Sequence, residues 1–214
     1  TCKSGAKEDL MNKMGITKPV MERIPLYLGY LRDPASGVGR TVSATVIANA
    51  LGLGDVQVRK DLGIVSGAGK PKVGYVTEEL IEHLSTYLSA HTENTAVLVG
   101  AGRLGQALLG YGGFAEYALT IRAAFDTDPA KIGGNVLPLS DFAAFCEREH
   151  PAIGIITVPE SSADDVLRLM TENGIRAVWN FSRRRLRPPE GVLVRNEDLA
   201  SSLAALSGQL NQIG

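Results

Sequence analysis

Histidine, cysteine and tryptophan are scarce in this 214-residue chain, which holds three, two and one of them. Cys2 and Cys146 stand far apart, with no second Cys or His at ligand spacing. Neither a disulfide framework nor a metal site is expected, and a reducing, cytoplasmic setting is the simplest reading. No apolar run approaches the ~18 residues that a bilayer-spanning helix needs, so no membrane partnership is expected. The opening "TCKSGAKEDLMNKM" lacks the apolar core of a signal peptide. Position 1 is not Met; Met11 and Met14 are the candidate natural starts, and residues 1–15 are expected to form a flexible extension. Net charge is also low, 22 Lys+Arg against 23 Asp+Glu giving −1.

That near-neutrality hides an uneven distribution. Residues 1–92 hold 11 basic and 9 acidic side chains (+2), whereas residues 93–214 hold 11 and 14 (−3). Between Val38 and Tyr75, Arg40, Arg59, Lys60, Lys70 and Lys72 face only Asp55 and Asp61. A local basic patch in a nearly neutral protein suggests a polyanion site rather than general stickiness. A solvated face gives the same composition.

The polar segment "LSAHTENT", residues 88–95, separates two patterns. After it, the apolar runs "TAVLVG", "ALTIRAAFD", "IGIITV", "IRAVWNF" and "GVLVRN" alternate with helical stretches. Strands separated by helices mean βαβ units and a parallel sheet. Before it, short helices alternate with glycine turns. In "TVSATVIANALGLGDVQVRKDLGIV", Ser43 is placed to cap a helix whose apolar positions include Val46, Ile47 and Leu51. "GLGD" supplies a turn, and Asp55 is expected to cap a second helix starting at Val56. This is the pattern of a helix-turn-helix. Its second helix carries Gln57, Arg59 and Lys60 near its start, where base edges and phosphates are read. The following "SGAGKPKVGYVT" resembles a wing that sets Lys70 and Lys72 against the phosphate backbone. Ser43 and Tyr75 complete the candidate DNA contacts. The plain alternative is a small helical domain with solvated lysines.

In "VGAGRLG", Gly100, Gly102 and Gly105 match G-x-G-x-x-G. The first permits a tight turn, the second lets a pyrophosphate approach the backbone, and the third permits close helix–strand packing. A helix opening at Arg103 would aim free N–H groups at the phosphates, with Ala101 and Leu104 in the same loop. Asp126 ends the next strand, 21 residues after Gly105. An acid at that distance bonds the adenosine ribose and repels a 2′-phosphate, which favours NADH and NAD⁺ over their phosphorylated forms. Thr127 follows it. Lys131 and Arg122 are near enough in sequence to soften this preference, but neither is expected at the strand tip. Two further strand ends, Thr157–Val158–Pro159 and Asn180–Phe181–Ser182, also face a cleft beyond the carboxyl edge of such a sheet. Phe181 is placed either against the nicotinamide or in the core.

A dehydrogenase needs a group that exchanges a proton with its substrate. His83, His91 and His150 stand at no strand's carboxyl end, and Lys131 is the only lysine after Lys72. Only residues 197–214 follow the cofactor fold, too few for a substrate domain. No catalytic residue is expected, and the pattern points to sensing. A small NAD-dependent oxidoreductase and another nucleotide-binding module, such as a CoA-binding domain with the same loop, remain the alternatives.

From about Ile16 to Leu210 the chain resembles the Rex family of redox-sensing transcriptional repressors. The resemblance rests on "RIPLYLGYL" at 23–31, "VRKDL" at 58–62, "GKPKVGY" at 69–75 and "VGAGRLGQALLGYGGF" at 99–114. It continues through "AAFDTDP" at 123–129, "IGIITVP" at 153–159, "WNFS" at 179–182 and "VRNEDL" at 194–199. It implies an α/β chain with an N-terminal winged helix-turn-helix domain (16–90) and a Rossmann-type doubly wound parallel sheet (91–196). A C-terminal helix (197–214) would be exchanged between the subunits of a homodimer. It also implies repression of fermentation and respiration genes from an inverted-repeat operator, which NADH releases and NAD⁺ permits. Carried over residue by residue, it puts cofactor contacts on Gly100, Gly102, Arg103, Leu104, Gly105, Asp126, Thr157, Pro159, Asn180 and Phe181. Tyr111 and Asp198 match positions that respond to the redox state of the nicotinamide. Two departures stand out: Gly29 replaces a common arginine of that switch, and "GIVSGAG" follows "VRKDL" where serine and aromatics are usual.

The last segment, "EDLASSLAALSGQL", spaces Leu199, Leu203, Leu206 and Leu210 by four, three and four residues. That makes one apolar stripe on a helix, and it must be covered by its own sheet or by another subunit.

Overall fold

A computed structural model describes residues 18–91 and 95–210. The expected extension over residues 1–15, with Met11 and Met14, lies outside the described residues. The chain divides into two compact units, residues 1–92 and 93–214.

Among the described residues the first unit is built on four α-helices: α1 (Lys18–Arg32), α2 (Ala44–Leu51), α3 (Asp55–Ser66) and α4 (Thr77–His91). Helix α1 buries Val20, Ile24, Tyr27, Leu28 and Leu31, and α4 buries Leu80, Leu84 and Leu88, each set at helical spacing. Ile47 and Ala48 of α2 and Val58 and Leu62 of α3 complete the core. Burying each large aliphatic side chain contributes about 1.5–3 kcal/mol.

The Ser43 hydroxyl accepts from the Val46 N–H at 3.2 Å, the expected cap of α2, and Gly52 closes that helix in the left-handed conformation. Helix α3 differs from expectation. Gly54 is its extended cap and Asp55 its first helical residue. The Asp55 carboxylate does not cap; it accepts from Thr45 Oγ1 at 2.8 Å and from Arg59 Nη2 at 2.7 Å. Strands β1 (Thr41–Val42) and β2 (Tyr75–Val76) pair antiparallel. Ahead of β2, Lys70 and Gly74 form an antiparallel bridge around a tight turn with Lys72 at φ 65°. Glycine is required at 74, because φ is +84° and a Cβ would collide with the Val42 carbonyl oxygen. Helix, turn, helix and wing follow one another as in a winged helix-turn-helix.

The second unit holds a six-stranded parallel sheet. Its strands are β3 (Thr95–Val99), β4 (Thr120–Asp126), β5 (Val136–Pro138), β6 (Ile153–Ile156), β7 (Ala177–Asn180) and β8 (Leu193–Asn196). Their order is β5-β4-β3-β6-β7-β8, the Rossmann order, which reverses between β3 and β6. The sequence reading had no strand at β5. It is three residues long and ends in Pro138, which an edge position tolerates but which leaves little strand signal.

Helix α5 (Arg103–Leu109) covers one face of the sheet, and α6 (Phe142–Glu149) and α7 (Ala163–Glu172) the other. Strand β3 alternates accordingly. Val97 and Val99 join Phe125, Phe142, Ile156 and Met170, while Ala96 and Leu98 join Ala124, Ile155, Leu108 and Leu109. The C-terminal helix α8 (Leu199–Leu210) buries no residue, and its four leucines stay exposed. No helix among the described residues is long and apolar enough to cross a membrane.

Candidate cofactor cleft and nucleic-acid interface

Where the strand order reverses, the loops after β3, β4 and β6 enclose a cavity of about 510 Å³. Of the expected cofactor residues, Gly100, Gly102, Asp126, Thr127, Lys131, Thr157, Val158 and Pro159 line it. Asp128, Leu139, Ser162 and Val166 also line it and were not anticipated. Ser162 is the cap of α7 and Val166 lies in its first turn.

The three glycines of the loop differ in what they meet. A Cβ at Gly100 would lie 2.7 Å from the Thr157 carbonyl carbon, at φ +104°. The Thr157 hydroxyl donates to the Gly100 carbonyl at 2.6 Å, fastening the loop to β6. A Cβ at Gly105 would collide with the Gly100 carbonyl oxygen. A Cβ at Gly102 would meet nothing within 4 Å. Protein packing therefore explains two of the glycines, and the third faces open space at the cap of α5. Arg103 and Leu104 start that helix with exposed side chains outside the cavity lining.

Asp126 is 8% exposed. Its Oδ2 accepts from the Ala101 N–H at 2.8 Å and its Oδ1 from the Asp128 N–H at 2.9 Å. Lys131 Nζ lies 3.3 Å from Oδ1 and 3.1 Å from Oδ2. Burial pushes this carboxyl up, but the bonds from Asp128, Lys131 and Ala101 outweigh it and hold it below the usual range. Lys131 was not expected at the strand tip. The short turn Pro129–Lys131 folds it back there. Arg122 instead pairs with Glu149 at 3.3 Å.

Asn180 and Ser182 do not reach the cavity with their side chains. Asn180 is 0% exposed and its amide is fully engaged. It donates to the Arg184 carbonyl at 2.7 Å and to Asn196 Oδ1 at 2.8 Å, and it accepts from Ser182 N at 3.0 Å and Ser182 Oγ at 2.7 Å. An amide has two donors and one oxygen, so no capacity remains for a ligand. These residues tie β7 to β8.

Phe181 is half-buried and packs on Trp179, ring centroids 4.5 Å apart. The aromatic row continues from Trp179 to Phe114 at 6.3 Å and on to the exposed Tyr111 at 5.1 Å. Trp179 Nε1 donates to Glu197 Oε1 at 2.9 Å, and that bond is the main reason the Glu197 carboxyl sits below its usual range. Asp198 Oδ1 accepts from the Ser201 N–H at 2.9 Å, capping α8. Two of the histidines have structural places. His83 Nδ1 bonds Ser66 Oγ at 2.7 Å, and His150 ends α6 at φ 48°.

In the first unit a groove of about 390 Å³ runs between the start of α2 and the wing. Ser43, Arg59, Lys70, Lys72 and Tyr75 line it, whereas Gln57 and Lys60 lie exposed on α3 outside it. The Tyr75 ring is buried and its hydroxyl donates to the Gly67 carbonyl at 3.4 Å, so it braces the wing from beneath. Arg59 is held by Asp55 across one helical turn at 2.7 Å. Behind α3, Asp61 accepts from Arg23, Tyr27 and Gln57. Burial pushes its carboxyl up, and the hydrogen bonds outweigh that and hold it below the usual range.

Residues 15–63 match the family described as "Putative DNA-binding protein N-terminus", and residues 91–183 match the CoA-binding domain family. A redox-sensing transcriptional repressor Rex from Treponema denticola is 39% identical over 90% of this chain and 94% of its own length. The chain belongs to the Rex family. Rex from Bacteroides thetaiotaomicron is 36% identical over 92% of this chain and 91% of that protein. The fold agrees as well. The Rex-family repressor RSP, solved with NAD⁺ and operator DNA, superposes with a TM-score of 0.77 at 29% identity, covering 92% of this chain and 93% of that one. RSP with NADH gives 0.76 at 28% identity, over 92% and 94%.

Proposed function

We propose that this Rex-family chain is a redox-sensing transcriptional repressor that reads the NADH/NAD⁺ ratio, with NADH releasing it from an inverted-repeat operator. The observation that carries the reading is Gly102, where an added Cβ would meet no protein atom, at the mouth of a cleft on the Rossmann switch point. In that cleft the pyrophosphate lies against Gly100, Gly102 and the first turn of α5, and Asp126 takes the adenosine ribose. Thr157, Val158 and Pro159 wall the nicotinamide side, and Tyr111 and Asp198 respond to its redox state. Residues 16–90 form the DNA-binding domain, residues 91–196 hold NAD(H), and the helix over 197–214 is exchanged within a homodimer.

Several observations support this. The groove beside the wing gathers Arg59, Lys70 and Lys72. The leucine stripe of α8 finds no cover among the described residues, as a subunit-exchanged helix requires. His150 ends α6 and does not line the cleft, which favours a sensor over an enzyme.

The test is anisotropy of a labelled AT-rich inverted repeat titrated separately with NADH and NAD⁺. Release by NADH at concentrations where NAD⁺ leaves the complex intact is the expected result. Equal effects of both forms would overturn the sensor, and steady NADH turnover with alcohols or ketones would favour an oxidoreductase.

A further inference from the structure

We propose that Asp61 is a positioning residue for base readout: it anchors the amide nitrogen of Gln57, so that the Gln57 carbonyl is presented to an exocyclic amino group in the major groove. This rests on the DNA-binding reading of α3.

Asp61 is 1% exposed and its carboxylate is saturated. Oδ2 accepts from Arg23 Nε at 2.6 Å and Tyr27 Oη at 2.6 Å; Oδ1 accepts from Arg23 Nη2 at 3.0 Å and Gln57 Nε2 at 2.8 Å. An ionised carboxylate only accepts, so the end of the Gln57 amide that faces it must be the nitrogen. A flipped amide would set oxygen against oxygen. Chemistry therefore settles the orientation that atom labels alone leave ambiguous.

Gln57 and Asp61 are one turn apart on the same side of α3. Gln57 is exposed while Asp61 is buried, so the side chain runs from a fixed interior point to the surface with Oε1 directed away from the anchor. Two of Asp61's other partners belong to α1, which makes the anchor a three-point clamp between helices. A glutamine held this way has less rotamer freedom to lose on meeting DNA. The groups it can meet with a carbonyl are adenine N6 and cytosine N4, the amino donors of the major groove.

The experiment measures the whole chain against operators with each half-site base pair replaced in turn, with circular-dichroism melts as a control of folding. Wild type and Gln57→Leu should differ in preference at one base pair per half-site. There, replacing the adenine by purine, or the cytosine by 2-pyrimidinone, should cost wild type about 2- to 10-fold and Gln57→Leu nothing. Asp61→Leu, which removes both acceptor oxygens, should lose the same preference.

Gln57→Glu decides the matter on the surface, where folding is not at issue. It keeps reach and an acceptor but loses the donor to Asp61 and repels it. Anchoring requires the preference at that base pair to disappear at neutral pH. Retention of that preference in Gln57→Glu or in Asp61→Leu would overturn the anchor while leaving the repressor reading intact. An unchanged preference profile in Gln57→Leu would overturn it too. Failure of wild type to bind any operator would remove both readings.

Discussion

The ammonium of Lys131 sits within 3.3 Å of both carboxylate oxygens of Asp126, so the acid at the tip of β4 is not bare. A charge that is partly neutralised repels a 2′-phosphate less than a free one. NADH should still bind more tightly than NADPH. Asp126→Ala should narrow that gap by about tenfold, equivalent to ~1.4 kcal/mol, and leave Lys131 to attract the phosphate. Lys131→Ala should widen it. Fluorescence titration of both dinucleotides reads the ratio, and equal affinities in wild type would remove the ribose role of Asp126.

Two loop glycines should fail in different ways. A Cβ at position 102 meets no protein atom, so in Gly102→Val the melting temperature should hold while NADH binding is lost. Gly105→Ala drives a Cβ into the Gly100 carbonyl, so the loop has to shift at a cost of about 1–3 kcal/mol. Thermal melts beside NADH titrations separate the two. A Gly102→Val protein that binds NADH normally would put the pyrophosphate elsewhere.

Along the wing, Lys70→Ala or Lys72→Ala should weaken binding to all DNA sequences alike and lower the salt slope by about one unit each. Arg59→Ala should instead reduce discrimination between operators by about 1–3 kcal/mol if its contact is bidentate to guanine. Binding isotherms at several salt concentrations check both. Unchanged operator affinity in Arg59→Ala/Lys60→Ala would sink the recognition-helix assignment.

Asp61 titrates below its unfolded value of about 3.9, so its sign is fixed. It contributes stability that is fully present above about pH 5 and is lost as pH falls through the folded value. Asp61→Asn should therefore be less stable at neutral pH and show a flatter acid limb in denaturant midpoints. An acid limb as steep as that of wild type would assign the loss to other carboxylates.

For assembly, Leu203→Asp with Leu206→Asp should yield monomers that bind the operator weakly and keep part of their NADH affinity. Sedimentation velocity decides. A dimer that survives deletion of residues 197–214 would place the interface elsewhere.

What the sequence made legible was local. The alternation in "TAVLV", the spacing of the loop glycines and the Ser43 cap each depend on neighbours within a few residues, and the structure has them as expected. The rest depends on partners distant along the chain. Asn180 looks like a strand-end ligand until Asn196 and Arg184 take its amide. Asp61 looks like a solvated acid within a basic helix until Arg23 and Tyr27 arrive from α1. Lys131 reaches Asp126 only because Pro129 starts a tight turn. Strand β5 pairs with β4 at the edge of the sheet, where pairing rather than apolar pattern defines it.

The one tryptophan gives the molecule an optical probe of its own. The emission of an indole depends on what its N–H donates to, and Trp179 donates to Glu197, the residue before the Asp198 cap of α8. Displacing the root of that helix must change the colour of the light without any added label. NADH absorbs in the band where indole emits and NAD⁺ does not, so the two cofactor forms quench this emitter unequally. A single cuvette can then follow cofactor identity and helix position together.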